Sequence, residues 1–185
     1  MRVLSIGEKF PAFQKTACVA TDLSNAFTTL THEDHIKEGK WMVMFWWPKD
    51  FTFVCPTEIV SFNDHYEEFI AKNAMLIGAS TDSEFVHLAW RQYEPKLRNL
   101  KFPMLADTSK SLAEELGILE ANEKIAYRAT FIVDPTGTIR WVCVNDLPTG
   151  RNVHEVLRML EALQVADRGE LVPCDWEPGQ ETIKL

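Results

Sequence analysis

Seven consecutive apolar residues, from Trp41 to Trp47, make the most hydrophobic stretch of the chain, and Pro48 ends it. An apolar run of this length without polar alternation indicates a central strand that is buried on both faces. From Pro56 the spacing changes to that of one helix face, with large apolar side chains at Ile59, Phe62, Tyr66, Phe69 and Ile70. The pattern therefore predicts a strand that is followed, after a short loop, by a helix.

Strands and helices alternate along the rest of the chain. The pattern predicts strands over 74–80, 102–106, 130–134 and 138–144, and helices over 84–93, 109–116 and 153–163. Pro135-Thr136-Gly137 separates the last two strands and is typical of an antiparallel hairpin turn. The chain begins with a β-α-β pattern and ends with β-β-α. This order predicts an α/β protein with a thioredoxin-like fold, in which a mixed central sheet carries helices on both faces. We expect one domain over residues 1–185, with 167–185 as a C-terminal tail.

Charge and composition exclude several classes of protein. Lys and Arg number 19 against 27 Asp and Glu, which gives a net charge of −8, and the acidic residues are scattered along the chain. A nucleic-acid-binding protein needs a basic face, so we expect no nucleic-acid partner. The longest apolar run has seven residues, far below the roughly 20 that span a bilayer, and the N-terminal segment lacks a secretory signal. We therefore expect a cytoplasmic globular protein without a membrane partner.

Four cysteines, at positions 18, 55, 143 and 174, are spaced neither as a disulfide scaffold nor as a zinc site. Cysteines in a reducing compartment are either inert core residues or reactive thiols. Cys143 alternates with branched apolar residues and Cys18 has a similar setting, so both are predicted to be core residues. His32-Glu-Asp-His35 has the residue types of a metal site but no further ligands, so we interpret it as a solvated polar loop and expect no metal.

Cys55 stands where the predicted helix begins, directly before Pro56, which suits the first turn because it has no N–H to satisfy there. Unpaired backbone N–H groups and the positive end of the helix dipole favour a thiolate at that position. Ionisation alone adds little to the reaction rate. A lower thiol pKa increases the fraction of thiolate, but the less basic thiolate is a weaker nucleophile, and the two effects nearly cancel. A fast thiol therefore needs preplaced donors that stabilise the charge developing on its substrate.

Three side chains are candidates for such donors. Thr52 lies three residues before Cys55 and can present a hydroxyl to the same pocket. Arg128 leads into a predicted strand and Arg151 precedes the last predicted helix. Either arginine could offer a fixed fork of donors, but spacing alone does not distinguish these two from ordinary solvated surface charges.

The segment Phe51-Thr-Phe-Val-Cys-Pro-Thr-Glu58 resembles the peroxidatic motif of the peroxiredoxins, in particular of the typical two-cysteine branch that contains the bacterial alkyl hydroperoxide reductase C proteins. The resemblance runs nearly end to end and includes Gly7-Glu-Lys-Phe-Pro11, Asp82-Ser-Glu-Phe-Val-His-Leu-Ala-Trp90, Phe102-Pro-Met-Leu-Ala-Asp107, Gly150-Arg-Asn152 and Pro173-Cys-Asp-Trp176. It implies a thioredoxin-like fold and an antioxidant enzyme that reduces hydrogen peroxide and organic hydroperoxides. It also implies that the protein carries no metal, haem or flavin cofactor.

The resemblance further implies a role for each residue of the candidate site. Cys55 would be the peroxidatic cysteine, whose thiolate attacks the terminal peroxide oxygen and becomes a sulfenic acid. Thr52 and Arg128 would be the donors that bind the peroxide oxygens. Pro48 would shield the sulfenic acid from water. Glu58 and Arg151 would orient Arg128.

A thioredoxin-type reductase carries its second cysteine in a C-x-x-C motif, whereas Cys55-Pro-Thr-Glu58 has a carboxylate in that place. Cys174, in the tail, resembles the resolving cysteine, which in this branch meets the peroxidatic cysteine of a partner subunit in an antiparallel homodimer. Such dimers are implied to assemble into a ring. The sequence alone leaves resolution within one chain equally open. A flavoprotein disulfide reductase, a C-x-x-C adaptor and thioredoxin are all possible reductants.

Parts of the chain depart from the family's patterns. Eukaryotic members that overoxidise easily carry a Gly-Gly-Leu-Gly segment and a C-terminal Tyr-Phe pair, and this sequence has neither. Pro173 comes before Cys174, whereas many members place a proline after that cysteine. Because the Gly-Gly-Leu-Gly segment and the Tyr-Phe pair are missing, we expect an active-site turn that unwinds easily and a protein that resists overoxidation. Two other functions remain open, a redox sensor or peroxide-induced holdase and a one-cysteine peroxidase that uses an external thiol.

Overall fold

The computed structural model describes residues 2–184, and within that range it has seven strands and six α-helices. The strands are β1 (Gln14–Cys18), β2 (Phe27–Thr31), β3 (Trp41–Trp46), β4 (Ala74–Ser80), β5 (Met104–Ala106), β6 (Arg128–Val133) and β7 (Ile139–Asn145). The helices are α1 (Asp34–Lys37), α2 (Cys55–Asp64), α3 (Tyr66–Ala71), α4 (Glu84–Tyr93), α5 (Ser111–Glu115) and α6 (Val153–Asp167), and a 3₁₀ helix covers Pro95–Leu97.

All seven strands form one sheet in the order β2-β1-β5-β4-β3-β6-β7. The central strands β3, β4 and β5 run parallel, and their neighbours on either side pair antiparallel. Every residue of β3 is buried, as expected for the central strand of a covered sheet. The prediction of a mixed sheet is confirmed.

Helices cover both faces of this sheet because alternate side chains of β3 point in opposite directions. On one face Phe45 stacks on Phe62 of α2, with ring centroids 3.8 Å apart. On the other face Trp46 belongs to the core cluster that contains Leu112 and Leu116, which come from α5 and its C-terminal end. The expectation of a thioredoxin-like sheet with helices on both faces is therefore confirmed.

The chain divides into two compact units, residues 1–151 and 152–185. The first unit contains the whole sheet and helices α1 to α5. The second begins with α6, whose first turn is capped by Asn152 Oδ1, and continues into a segment in which Trp176 packs against Ala162 and Val165. A single domain over 1–185 with a tail from residue 167 stays a prediction.

The sequence pattern does not predict β1, β2 or α1. β2 has three threonines among its five residues and no fully buried position, so it lacks the apolar alternation that marks a strand. The predicted helix face over 59–70 also differs, since His65 ends α2 and separates it from α3. Among residues 2–184, no helix combines the length and apolar character that crossing a bilayer requires.

Candidate active site

Cys55 is the first residue of α2, and its side chain is buried, with 1% of the residue exposed. Pro56 follows it in the first turn, and the N-cap residue, Val54, has no polar side chain that could cap this end of the helix. A short loop joins β3 to the cysteine, since β3 ends at Trp46 and α2 begins nine residues later. The sulfur therefore lies beside a helix N-terminus, where the helix dipole favours a negative charge.

Arg128 reaches the sulfur from the first position of β6, 73 residues further along the chain. Its Nη1 lies 3.4 Å from Cys55 Sγ and donates a 2.7 Å hydrogen bond to Glu58 Oε2. Its Nε donates to the carbonyl oxygen of Leu147 at 2.6 Å. These bonds fix the guanidinium of Arg128, a residue that is 4% exposed, against the cysteine.

Arg151 holds the same carboxylate from its other side. Its Nε and Nη2 each donate a 2.8 Å bond to the two oxygens of Glu58, and its backbone N–H donates a third bond at 2.9 Å. Its Nη1 donates to the Ala129 carbonyl oxygen, and its guanidinium lies over the Phe45 ring. Glu58 thus bridges two arginines in a buried network that Cys55 borders.

The charges of this network favour an anion at the sulfur. Two guanidinium groups share one carboxylate, which leaves one positive charge without a partner in a buried place. A buried charge is costly unless an opposite charge compensates it. A thiolate at Cys55, 3.4 Å from Arg128 Nη1, is placed to supply that charge.

A cavity of about 270 Å³ opens over the sulfur. Pro48, Thr52, Cys55 and Arg128 all line it, so the structure brings four of the predicted site residues together. Its other walls are largely apolar and include Phe53, Val54, Ile125 and Leu147. The mouth also carries an ion pair between Lys49 and Glu123.

Thr52 presents its hydroxyl group to the cavity in a defined orientation. The hydroxyl donates its hydrogen to the Lys49 carbonyl oxygen at 2.9 Å. A hydroxyl has one hydrogen and two acceptor lone pairs. Thr52 can therefore accept a hydrogen bond from a bound molecule, whereas the family resemblance implies a donor role.

Sequence reasoning misses several parts of this site. The Leu147 carbonyl is a backbone group of a loop, and no residue type marks it in a sequence. Lys49 and Glu123 lie 74 positions apart, so only the fold brings them to one cavity. Glu58 is singled out only by the family motif, and spacing alone does not distinguish Arg151 from an ordinary surface arginine.

The remaining cysteines lie in different settings. Cys174 is exposed and belongs to the second unit, 152–185. Cys18 is buried, as predicted, and burial raises the pKa of its thiol. The core assignment of Cys143 is wrong in degree, because this residue is only partly buried, on a strand that pairs with β6 and forms one edge of the sheet.

The interpretation of His32-Glu-Asp-His35 as a solvated loop is wrong for His35. This residue lies in the short helix α1 and is 1% exposed. Burial lowers the pKa of its imidazole, since the charged form is poorly solvated there. A single turn of helix that directs one histidine inward has too few residues to show a periodic pattern.

Comparisons with known proteins agree with this geometry. The AhpC/TSA family model matches residues 6–142. Alkyl hydroperoxide reductase C of Mycobacterium tuberculosis is 46% identical over 191 residues, which cover 99% of this chain and 95% of that protein. Peroxiredoxin-2 of Mus musculus is 46% identical, with 97% of this chain and 89% of that protein covered.

Solved structures show the same likeness. Mycobacterium bovis AhpC matches with a TM-score of 0.84 at 46% identity, covering 96% of this chain and 100% of that one. The reduced 2-Cys peroxiredoxin of Plasmodium vivax matches with a TM-score of 0.89 at 31% identity, covering 97% and 92%. With a family model and full-length relatives that agree, the chain belongs to the AhpC/TSA family and is a typical two-cysteine peroxiredoxin, a thiol peroxidase.

Proposed function

We propose that this peroxidase reduces hydrogen peroxide and organic hydroperoxides at Cys55 and resolves the resulting sulfenic acid as a disulfide with Cys174. An external dithiol or flavoprotein reductant then restores both thiols. One observation carries the proposal: Nη1 of a fixed, buried Arg128 lies 3.4 Å from the sulfur, in a cavity open to a small substrate. This is the preplaced donor that a fast thiol requires.

In the first step the Cys55 thiolate attacks the terminal oxygen of the peroxide. A sulfur–oxygen bond forms, the oxygen–oxygen bond breaks, and its electron pair leaves on the second oxygen. The sulfur is oxidised to a sulfenic acid, and the departing hydroxide or alkoxide takes a proton from solvent to become water or an alcohol. Stabilisation of that departing negative oxygen lowers the barrier.

Arg128 and Thr52 divide the binding of the peroxide between them. Within residues 2–184, Nη2 of Arg128 has no hydrogen-bond partner, so this N–H group is available to the developing negative charge. The Thr52 hydroxyl already donates to the Lys49 carbonyl, so it accepts the O–H hydrogen bond of the peroxide. The apolar wall formed by Ile125 and Leu147 suits the alkyl group of an organic hydroperoxide.

Resolution requires Cys55 to leave its buried position. A disulfide forms only when the two Cα atoms come within about 7 Å, and a sulfur that is 1% exposed offers no approach to a second thiol. The first turn of α2 must therefore unwind locally after oxidation. Cys174 is exposed, which suits a thiol that captures a released sulfenic acid.

We place the cycle in the cytoplasm, in a homodimer of which Cys174 serves the partner subunit, and we expect such dimers to assemble into a ring. Turnover consumes reducing equivalents, and the cytoplasm supplies them through reduced dithiol proteins. A flavoprotein disulfide reductase, a C-x-x-C adaptor and thioredoxin are the candidate reductants. The four free cysteines suit a reducing compartment.

The test combines peroxide turnover with a non-reducing gel. Wild type given excess dithiol should consume many equivalents of peroxide, and Cys55→Ser should consume none. After one equivalent of peroxide, wild type should run as a disulfide-linked dimer and Cys174→Ser as a monomer. Consumption of only about one equivalent per subunit would instead indicate a sensor, and unchanged dithiol-supported turnover in Cys174→Ser would indicate a one-cysteine peroxidase.

A further inference from the structure

The loop between β3 and α2 carries an aspartate that forms a buried ion pair. Asp50 Oδ2 and His87 Nδ1 lie 2.6 Å apart, and their side chains are 1% and 0% exposed. His87 belongs to α4, and its Nε2 lies 3.2 Å from the Leu105 carbonyl oxygen in β5. The pair therefore ties the loop that carries Pro48 and Thr52 to a helix and a strand of the core.

Asp50 is also held by its other polar atoms. Its Oδ1 accepts a 2.7 Å hydrogen bond from Trp47 Nε1, and its backbone N–H donates to Asp82 Oδ2 at 3.0 Å. The same oxygen of Asp82 accepts a 2.7 Å bond from Ser80 Oγ at the end of β4. The side chain of Asp50 is thus fixed to α4 through His87, and its backbone is fixed to the β4–α4 connection through Asp82.

The surroundings of the pair favour a proton between its two side chains. Burial raises the pKa of Asp50. Burial alone would lower the pKa of His87, but the charge and hydrogen bond of Asp50 outweigh it and raise that pKa. Both raised pKa values favour a proton held within the Nδ1–Oδ2 hydrogen bond, whose 2.6 Å length joins the two buried side chains.

The residue after Asp50 shows why this loop needs an anchor. Phe51 has a φ of 57°, in the left-handed region that a non-glycine residue adopts only at a cost in energy. Such a backbone persists when the surrounding structure fixes it from both sides. Without the anchor the strained residue would relax, and Thr52, the next residue, would leave its position in the cavity.

We propose that Asp50 and His87 are positioning residues of the peroxidase reaction, whose buried contact holds Pro48 and Thr52 around the peroxide. The inference rests on the proposed function of the same site. It assigns the pair to peroxide binding rather than to ionisation of the thiol, because Arg128, which contacts the Cys55 sulfur, is held by Glu58 and the Leu147 carbonyl. The two effects can therefore be measured separately.

The test compares two reactions of Cys55 in each variant. Oxidation by hydrogen peroxide needs the thiolate and the positioned loop, whereas alkylation by iodoacetamide needs only an accessible thiolate. Each rate constant is obtained by mass spectrometry of the Cys55 peptide after rapid quenching. In Asp50→Ala the peroxide rate constant should fall about 30-fold while the alkylation rate constant changes less than about threefold. Asp50→Asn should stay within about threefold of wild type in both, since an amide can accept from Trp47 and donate to a neutral His87.

Asp134 provides the matched control. Like Asp50 it is 7% exposed, but it is bonded to Thr136 and Thr138 in the β6–β7 turn. Asp134→Ala should lower stability and leave the ratio of the two rate constants within about twofold of wild type. If circular dichroism shows that Asp50→Ala does not fold, His87→Gln keeps the Trp47 bond, removes the imidazole, and should lower the ratio about tenfold.

Opposite outcomes separate the inference from the function on which it rests. An unchanged ratio in Asp50→Ala or, where that variant does not fold, in His87→Gln overturns the inference, and so does an equal loss of both rate constants. If wild type itself shows no Cys55-dependent peroxide reduction, the proposed function fails first. Peroxide reduction by wild type together with an unchanged ratio leaves the function standing and removes only the positioning role.

Discussion

Glu58 is the residue on which both arginines of the site depend, since it accepts hydrogen bonds from Arg128 and from three nitrogens of Arg151. Removing one member of a buried charge network leaves the others uncompensated and typically costs about 3–5 kcal/mol. Glu58→Gln should therefore lower the free energy of unfolding by about 3 kcal/mol, measured in urea. It should also slow peroxide reduction by at least about tenfold, because Arg128 loses its charged anchor.

Glu67 is the control for that substitution, because it pairs with Lys101 at 2.7 Å on the surface, where its side chain is 71% exposed. Exposed pairs contribute little to stability, so Glu67→Gln should leave the urea midpoint and the peroxide rate constant almost unchanged. Equal effects of the two glutamine variants would contradict the role that the geometry gives to Glu58.

Thr52 allows a second test at the scale of one side chain. Thr52→Val keeps the shape and removes both the bond to the Lys49 carbonyl and the acceptor that faces the cavity. The peroxide rate constant should fall about 10- to 100-fold, measured by stopped-flow tryptophan fluorescence. Thr52→Ser retains the hydroxyl and should lose less than about fivefold. A valine variant as fast as wild type would show that the hydroxyl does not touch the peroxide.

At the scale of the elements, β4 has little room at its one glycine, Gly78. A Cβ at Gly78 would lie 2.7 Å from a ring atom of Trp47 and 2.9 Å from one of Phe102. Overpacking of this kind typically costs about 1–3 kcal/mol, so Gly78→Ala should lower the melting temperature by several degrees. Gly150→Ala is the comparison, since its nearest neighbour would be at an ordinary 3.6 Å, and it should melt within about a degree of wild type.

The elements also show what the sequence pattern can and cannot predict. The predicted ranges 74–80 and 84–93 coincide with β4 and α4, because β4 is a short continuous apolar run and α4 has a clear helical periodicity. The hairpin of β1 and β2 is not predicted, because its polar residues pair with each other and only Ala17 and Cys18 join it to β5, a pairing that no local pattern shows. The site is still harder to predict from sequence, since Arg128 and Cys55 lie 73 residues apart and only the tertiary structure brings them into contact. Their association could be expected only from the family resemblance.

At the scale of the whole molecule, the order of events after oxidation decides whether the enzyme survives high peroxide. If the first turn of α2 unwinds readily, Cys174 captures the sulfenic acid before a second peroxide can oxidise it to a sulfinic acid. We expect little sulfinic Cys55 after turnover in millimolar peroxide, measured by mass spectrometry of the peptide. The Cys174→Ser variant, which cannot capture the sulfenic acid, should accumulate sulfinic Cys55. Abundant sulfinic acid in wild type would show that the helix turn is more persistent than the sequence suggests.

The arrangement of two guanidinium groups around one carboxylate has a consequence for timing. The reduced site is electrically balanced when the sulfur is a thiolate, but a protonated sulfenic acid is neutral and leaves the desolvated arginines with an excess cation. Oxidation by the peroxide thus weakens the electrostatic attraction between the sulfur and the arginines that held Cys55 in its buried position. In the proposed mechanism, oxidation of Cys55 therefore itself favours the local opening that resolution requires.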